Sequence, residues 1–196
     1  MNLRLCFWLV CLILCSCRGD QDRYFSFSDI PESLEQELQF NDVNFRVSVK
    51  GTGSLKKLTI IINSPELKDT LIRIVNGNVY SVKTGDLNNN KLPELYAFVI
   101  GRGSQAKGSF LGFEFGSDEV VELVLPEPNP KLMEGYFGHD SLYIRGKHLV
   151  RQFPIFSESG FGYNPTSSTR VIEYSLDDSH PYKNVRLLDF EKSYVK

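Results

Sequence analysis

Tyr80–Phe115 reads YSVKTGDLNNNKLPELYAFVIGRGSQAKGSFLGFEF, and this stretch decides the fold. Its centre, Leu95 to Ile100, is the most hydrophobic run downstream of the N-terminal leader. An Asp/Asn loop, Asp86 to Glu94, precedes that run, and a small polar loop, Gly101 to Gly108, follows it. Apolar segments between turn formers predict a buried strand inside a hairpin or meander. Loops held on such a rigid frame are where binding and chemistry are usually carried.

The flanking sequence repeats the strand signal. Val43–Lys50 alternates, with Val43, Phe45, Val47 and Val49 on one face and Asn44, Arg46, Ser48 and Lys50 on the other. That period of two predicts a half-buried antiparallel strand. Gly51-Thr52-Gly53 makes a turn, Leu55–Asn63 a second strand rich in β-branched residues, and Leu71–Val75 a third. Asn76-Gly77 reads as a hairpin turn leading into Val79–Lys83. Downstream, Val120–Leu125, Tyr136–Ile144 with a bend at Gly138-His139-Asp140, His148–Phe156, Thr169–Leu176 and Val185–Phe190 are strands. Pro126, Pro128 and Pro130 mark a surface crossing, and Ser157–Ser168 a loop. Near the start, Ser33 followed by LEQELQF predicts one short helix, with Gln36 completing a capping box. With no βαβ rhythm and no internal repeat, the pattern gives an all-β domain of about eight to ten antiparallel strands, a sandwich or flattened barrel.

The first residues, MNLRLCFWLVCLILCSC, lie outside that domain. Arg4 and the apolar run Leu5–Leu14 predict an export signal too short to span a bilayer. Leu14-Cys15-Ser16-Cys17 fits a bacterial lipobox, so Cys17 is the expected acylation site. The predicted organisation is a signal peptide over 1–16, a lipid-anchored tether with the short helix over 17–41, and a β domain over 42–196. Arg18 after Cys17 favours the outer membrane, facing the periplasm or the cell surface. All four cysteines fall in the leader, so the domain has neither a disulfide nor a cysteine metal site. With 22 Lys and Arg against 24 Asp and Glu, formal charge is −2, and no basic footprint for nucleic acid exists.

Two loops carry the candidate chemistry. Asp86, Asn88, Asn90 and Glu94 place side-chain oxygens at alternate positions, the spacing a calcium ion uses. Lys91 stands where a calcium loop wants glycine, and Ala97 where it wants a bidentate glutamate, so residue types favour an Asx-rich turn without a cofactor. The second loop offers Arg102, Ser104 and Lys107 as a hydroxyl and two cations for a partner's carboxylates. No catalytic set assembles: His139-Asp140 lacks a nucleophile motif, and His148 and His180 read as strand-surface and loop residues. Glu114, Glu119 and Glu122 read as solvated strand faces. The chain is therefore expected to be a non-enzymatic binding protein.

Four blocks sharpen that expectation: GDLN-x-N-x-x-PELY from Gly85, GHD-x-L from Gly138, LVR-x-FPI from Leu149 and TR-x-I-x-Y from Thr169. Together and in this order they resemble the bacterial periplasmic inhibitors of invertebrate-type (i-type) lysozyme, over about Phe45 to Leu188. The resemblance implies a compact antiparallel β fold and a loop that plugs the lysozyme cleft. The family loop carries Ser-Gly and then Tyr; here Ser104 is kept, Gln105 replaces the glycine and Lys107 the tyrosine. It implies lysozyme as partner; the lipobox adds the membrane through the anchor, and the sequence leaves monomer and homodimer both open. The alternative is a surface binding module for a glycan or another envelope protein, using Phe161 and Tyr163.

Overall fold

The computed structural model describes residues 30, 32–117, 119–160, 162–176 and 185–196. The leader, Cys17, Phe161 and His180 lie outside the described residues. The strands are β1 Leu34–Phe40, β2 Val43–Lys50, β3 Leu55–Asn63, β4 Lys68–Asn76, β5 Asn78–Gly85, β6 Glu94–Ile100, β7 Gly108–Phe115, β8 Val120–Val124, β9 Ser141–Arg145, β10 His148–Ser159, β11 Gly162–Leu176 and β12 Val185–Val195. Among the described residues a 3-10 turn, Pro130–Met133, interrupts them. They form a four-stranded sheet, β1-β2-β3-β4, and an eight-stranded sheet, β5-β6-β7-β8-β12-β11-β10-β9. Pairing is antiparallel except between β8 and β12. The all-β sandwich expected from the sequence is what forms.

β6 is the hinge of the packing. All seven of its residues are buried. Leu95, Ala97 and Val99 join a core with Phe45, Val47, Leu58, Ile60 and Ile62 of the four-stranded sheet. Tyr96 and Phe98, on the opposite face, join a second core with Leu142, Leu149, Phe153, Ile172 and Tyr174. A strand covered on both faces has no polar side to show, which is why its sequence is a continuous apolar run and β2's alternates. Each large side chain enclosed this way contributes about 1.5–3 kcal/mol.

β9, at one edge of the eight-stranded sheet, lies over β6 and β7, and one side chain of β5 reaches it from the other edge. The Tyr80 hydroxyl on β5 donates to the Leu142 carbonyl on β9 at 2.7 Å and accepts from the Leu142 amide at 2.8 Å. A register shift between Val79 and Ser81 leaves Tyr80 as an extra residue. Such a bulge re-aims a side chain. It leaves Val79 and Val82 in the first core and brings Tyr80 against the second.

Two local readings are corrected. Leu34–Phe40 is a strand, not a helix. Its inward residues Leu34, Leu38 and Phe40 pack on the first core, and it pairs with β2 across a tight turn at Asn41-Asp42. The apolar positions 34, 38 and 40 are all an even number apart, which is the period of a strand, whereas a helix would put Phe40 on the side away from Leu38. The β domain thus starts by Leu34 rather than at 42. Asn76-Gly77 is a turn but not a hairpin: the chain there leaves one sheet for the other. Gly77 has φ +132°, its amide bonds the Ser54 carbonyl at 2.7 Å, and a Cβ would fall 2.5 Å from the Ile100 carbonyl. Only glycine fits so close a crossing. Ser157–Ser168, expected as a loop, is instead the far part of the β10–β11 hairpin.

Candidate functional site

The loop Gly101–Lys107 closes on itself. The Gly101 amide donates to the Lys107 carbonyl at 2.9 Å, and the Ala106 amide to the Gly103 carbonyl at 3.2 Å. Ala106 is buried and pins the loop, while Arg102, Ser104, Gln105 and Lys107 stay exposed. Among the described residues, Arg102 and Lys107 form no ion pair.

The turn Gly138-His139-Asp140 holds this loop from behind. The His139 amide donates to the Ala106 carbonyl at 2.6 Å. Its ring Nε2 donates to the Ser104 carbonyl at 2.8 Å. Gly138 has φ +80°, and a Cβ there would sit 2.8 Å from the Gln105 carbonyl. Asp140 lies deeper. One carboxylate oxygen accepts from the Gly108 amide at 2.7 Å and the Tyr136 hydroxyl at 2.9 Å. The other meets Arg151 Nε at 2.8 Å. Burial opposes the Arg151 charge most, but Asp140, Tyr136 and Tyr174 together outweigh it and raise the guanidinium pKa. Burial and the Asp140 carboxylate push the Tyr136 hydroxyl up to about 12. A buried ion pair with its remaining lone pairs satisfied is a rigid joint.

Aromatic rings flank the same end. Phe137 stacks on Tyr163 with centroids 4.8 Å apart and touches Phe156 at 5.4 Å. His139 stacks on Phe156 at 5.9 Å. Tyr163, one residue of the expected glycan platform, is thus exposed on the projecting β10–β11 hairpin beside the loop.

The Asp86–Glu94 loop lies at the other end and turns its oxygens on its own amides. Asp86 accepts from the Asn90 amide at 3.1 Å and the Lys91 amide at 3.2 Å. Asn88 accepts from the Asn90 amide at 3.3 Å, and Asn90 from the Leu92 amide at 2.8 Å. This is the Asx-rich turn. Beneath it two glutamates face each other across β6 and β7. Glu94 accepts from the Leu87 amide and the Tyr96 hydroxyl, both at 2.8 Å. Glu114 accepts from the Asn88 and Asn90 carboxamides at 3.1 and 2.8 Å. Burial is the main reason the Glu94 carboxyl is pushed up to about 7, with the charges of Glu114 and Asp86 adding to it. Glu114 is therefore not a solvated residue, as its strand position suggested, but a buried one. Among the described residues, no group of three His, Cys, Asp or Glu is placed to hold a metal.

The sequence brought out Arg102, Ser104 and Lys107 but not what positions them. Asp140, Arg151 and Tyr136 act through the loop base, and the GHD-x-L and LVR-x-FPI blocks are where they were visible. The remaining histidine among the described residues, His148, lies on the β10 surface, its Nε2 2.5 Å from Glu191. Comparison of the chain with protein-family models, with curated proteins and with solved structures gives no match.

Proposed function

We propose that this chain is a lysozyme-inhibitor-like protein of the bacterial envelope, exported and anchored through Cys17, that blocks a lysozyme without catalysing a reaction. The observation that carries the reading is the Gly101–Lys107 loop: a stiff projection with a hydroxyl and two cations facing solvent, set on a buried Asp140–Arg151 base. Lysozyme clefts hold a pair of carboxylates, one of them a general acid. Lys107 or Arg102 would pair with a carboxylate and Ser104 would bond the other, so the loop excludes substrate. A projection fixed before binding loses little entropy when it docks. The i-type enzyme is the expected target, on the resemblance of the four sequence blocks. Mixing the purified protein with invertebrate-, chicken- and goose-type lysozymes and following cell-wall lysis tests this. Slowing of at least one type at micromolar protein is expected; unchanged lysis by all three rejects it.

A second reading is favoured by the ring stack. Tyr163 lies exposed on Phe137, a flat apolar face with polar neighbours, which suits a sugar ring. The chain would then be a surface module for a glycan or another envelope protein. Retention on insoluble cell-wall glycan, abolished by Tyr163→Ala and untouched by Lys107→Ala, would favour this reading over inhibition.

A further inference from the structure

The outer face of the four-stranded sheet has no use in the function above, and its composition is uneven. On β1 and β2 the face is polar and self-neutralised: Arg46 pairs with Glu37 and Lys50 with Glu35, each at 2.9 Å. On β3 and β4 it is aliphatic. Leu55, Ile61, Ile72 and Ile74 are 61%, 42%, 50% and 66% exposed. The register puts Ile74 opposite Lys57, Ile72 opposite Thr59 and Ile61 opposite Thr70, so the four side chains share one side of adjacent strands. The charges on that same side are Lys57 and Lys68, both exposed, with no acidic residue among the outward positions of the two strands. Asp69, the acidic residue of β4, sits opposite inward-facing Ile62 and so on the other side.

Contiguous exposed aliphatics on an otherwise well-packed domain mark an interaction surface. Aliphatics rimmed by lysine fit one partner in particular, the headgroup layer of an anionic bilayer, where the hydrocarbon enters the interface and the ammonium groups meet phosphate. The path of the chain agrees. Lys56, buried on the inner side of β3, donates its ammonium to the Glu32 carbonyl at 2.6 Å. The N-terminal segment therefore meets the sheet from its inner side, at the end of β3 that carries the outward Leu55 and, one strand over, Ile74. Cys17 is 15 residues before Glu32. That length spans at most about 50 Å, enough for this face to reach the membrane that carries the anchor.

We infer that the β3–β4 outer face rests on an anionic lipid surface, with Leu55, Ile61, Ile72 and Ile74 in the headgroup region and Lys57 and Lys68 against phosphates. The inference rests on the envelope-anchored reading but not on lysozyme inhibition.

The test uses the full chain in vesicles, with Trp8→Phe removing the one native tryptophan. Ile74→Trp reports the proposed face, and Tyr163→Trp the β10–β11 hairpin of the other sheet. In vesicles of phosphatidylglycerol and phosphatidylethanolamine carrying brominated chains, Ile74→Trp emission should shift to the blue and be quenched, while Tyr163→Trp emission should not. Adding Lys57→Glu and Lys68→Glu should weaken the quenching several-fold, as should replacing the lipids with phosphatidylcholine. Water-exposed Ile74→Trp emission on vesicle-bound protein overturns the inference. So does equal quenching at both positions, or a blue shift of Ile74→Trp that tracks protein concentration without vesicles, which would mean a second copy covers the face. The lysis assay is read separately, so loss of one activity leaves the other measurable.

Discussion

Asp140 and Arg151 meet at 2.8 Å inside the protein, the carboxylate fully enclosed and the guanidinium nearly so. The same carboxylate holds the Gly108 amide, where the Gly101–Lys107 loop rejoins β7. Asp140→Asn would leave a buried cation without its counter-charge and turn an NH2 toward a donor. A loss of about 3–5 kcal/mol is expected, or roughly 10 °C in Tm for a chain of this size. The double variant Asp140→Leu with Arg151→Met removes both charges and should recover much of that stability without restoring the loop. Thermal unfolding of the three proteins checks this; a mild effect of Asp140→Asn means that the joint is not what holds the region.

Tyr80→Phe keeps the ring and deletes the hydroxyl that joins β5 to β9. Both the Leu142 amide and carbonyl then lack that partner, in a region where water is scarce. Two orphaned groups cost about 2–4 kcal/mol together. Urea unfolding gives the total. Amide exchange localises it: faster exchange at Leu142 with little change at Val47 or Ile60 is expected, because those lie in the other core.

Much of this architecture could be read before any coordinates. Val43–Lys50 alternates because one face of β2 is wet, and Leu95–Ile100 is continuously apolar because β6 has no wet face. The Asn-rich loop also showed its nature, since Asp86, Asn88 and Asn90 are residues that bond nearby amides. What could not be read is what depends on distant partners. The capping-box spacing of Ser33 and Gln36 suggested a helix, but Leu34, Leu38 and Phe40 follow the period of a strand, and the β2 edge takes them up. Glu114 sits between Phe113 and Phe115 as an exposed residue of an alternating strand would; its burial follows from the layer above it and from the Asn88 and Asn90 carboxamides that reach it. Asn76-Gly77 announces a turn but not a change of sheet. At the Gly101–Lys107 loop, Ser104 and Lys107 were legible as chemistry, whereas His139, 35 residues after Ser104, and Asp140 were not legible as its support.

The Glu94 carboxyl, with a folded-state pKa near 7 against an ordinary 4.5, makes stability depend on pH. Between those values the folded protein binds more protons than the unfolded chain, so stability is greatest below about pH 4.5 as far as this group is concerned. It declines as pH rises to about 7, by about 3 kcal/mol. Glu94→Gln stays neutral throughout and keeps an acceptor for Leu87 and Tyr96. It should flatten that decline and leave the protein more stable than the parent at pH 8. Denaturant titrations at pH 5 and pH 8 on both proteins decide; identical pH slopes would place the dependence on another group.

Ser104→Ala with Lys107→Ala removes the hydroxyl and the cation from the tip of the loop while touching none of its internal backbone bonds. Stability should move by no more than about 0.5 kcal/mol. Inhibition should weaken about 10- to 100-fold, the worth of a charge-assisted hydrogen bond lost from a dry cleft. Measuring lysis and unfolding on the same preparation separates a lost contact from a lost fold, and unchanged inhibition would move the contact away from these two side chains.

The crossing at Gly77 ties Ser54 to one side and Ile100 to the other, so the Gly101–Lys107 loop emerges at the end of the molecule where the N-terminal segment joins. If the protein hung from its lipid by that end, the loop would face the bilayer and a target would have to fit into the gap, with residues 18–31 setting the headroom. Laid on the β3–β4 face, the same loop points along the membrane plane instead. On the proposed function, a lysozyme would then be met side-on at the lipid surface rather than in the gap beneath the protein.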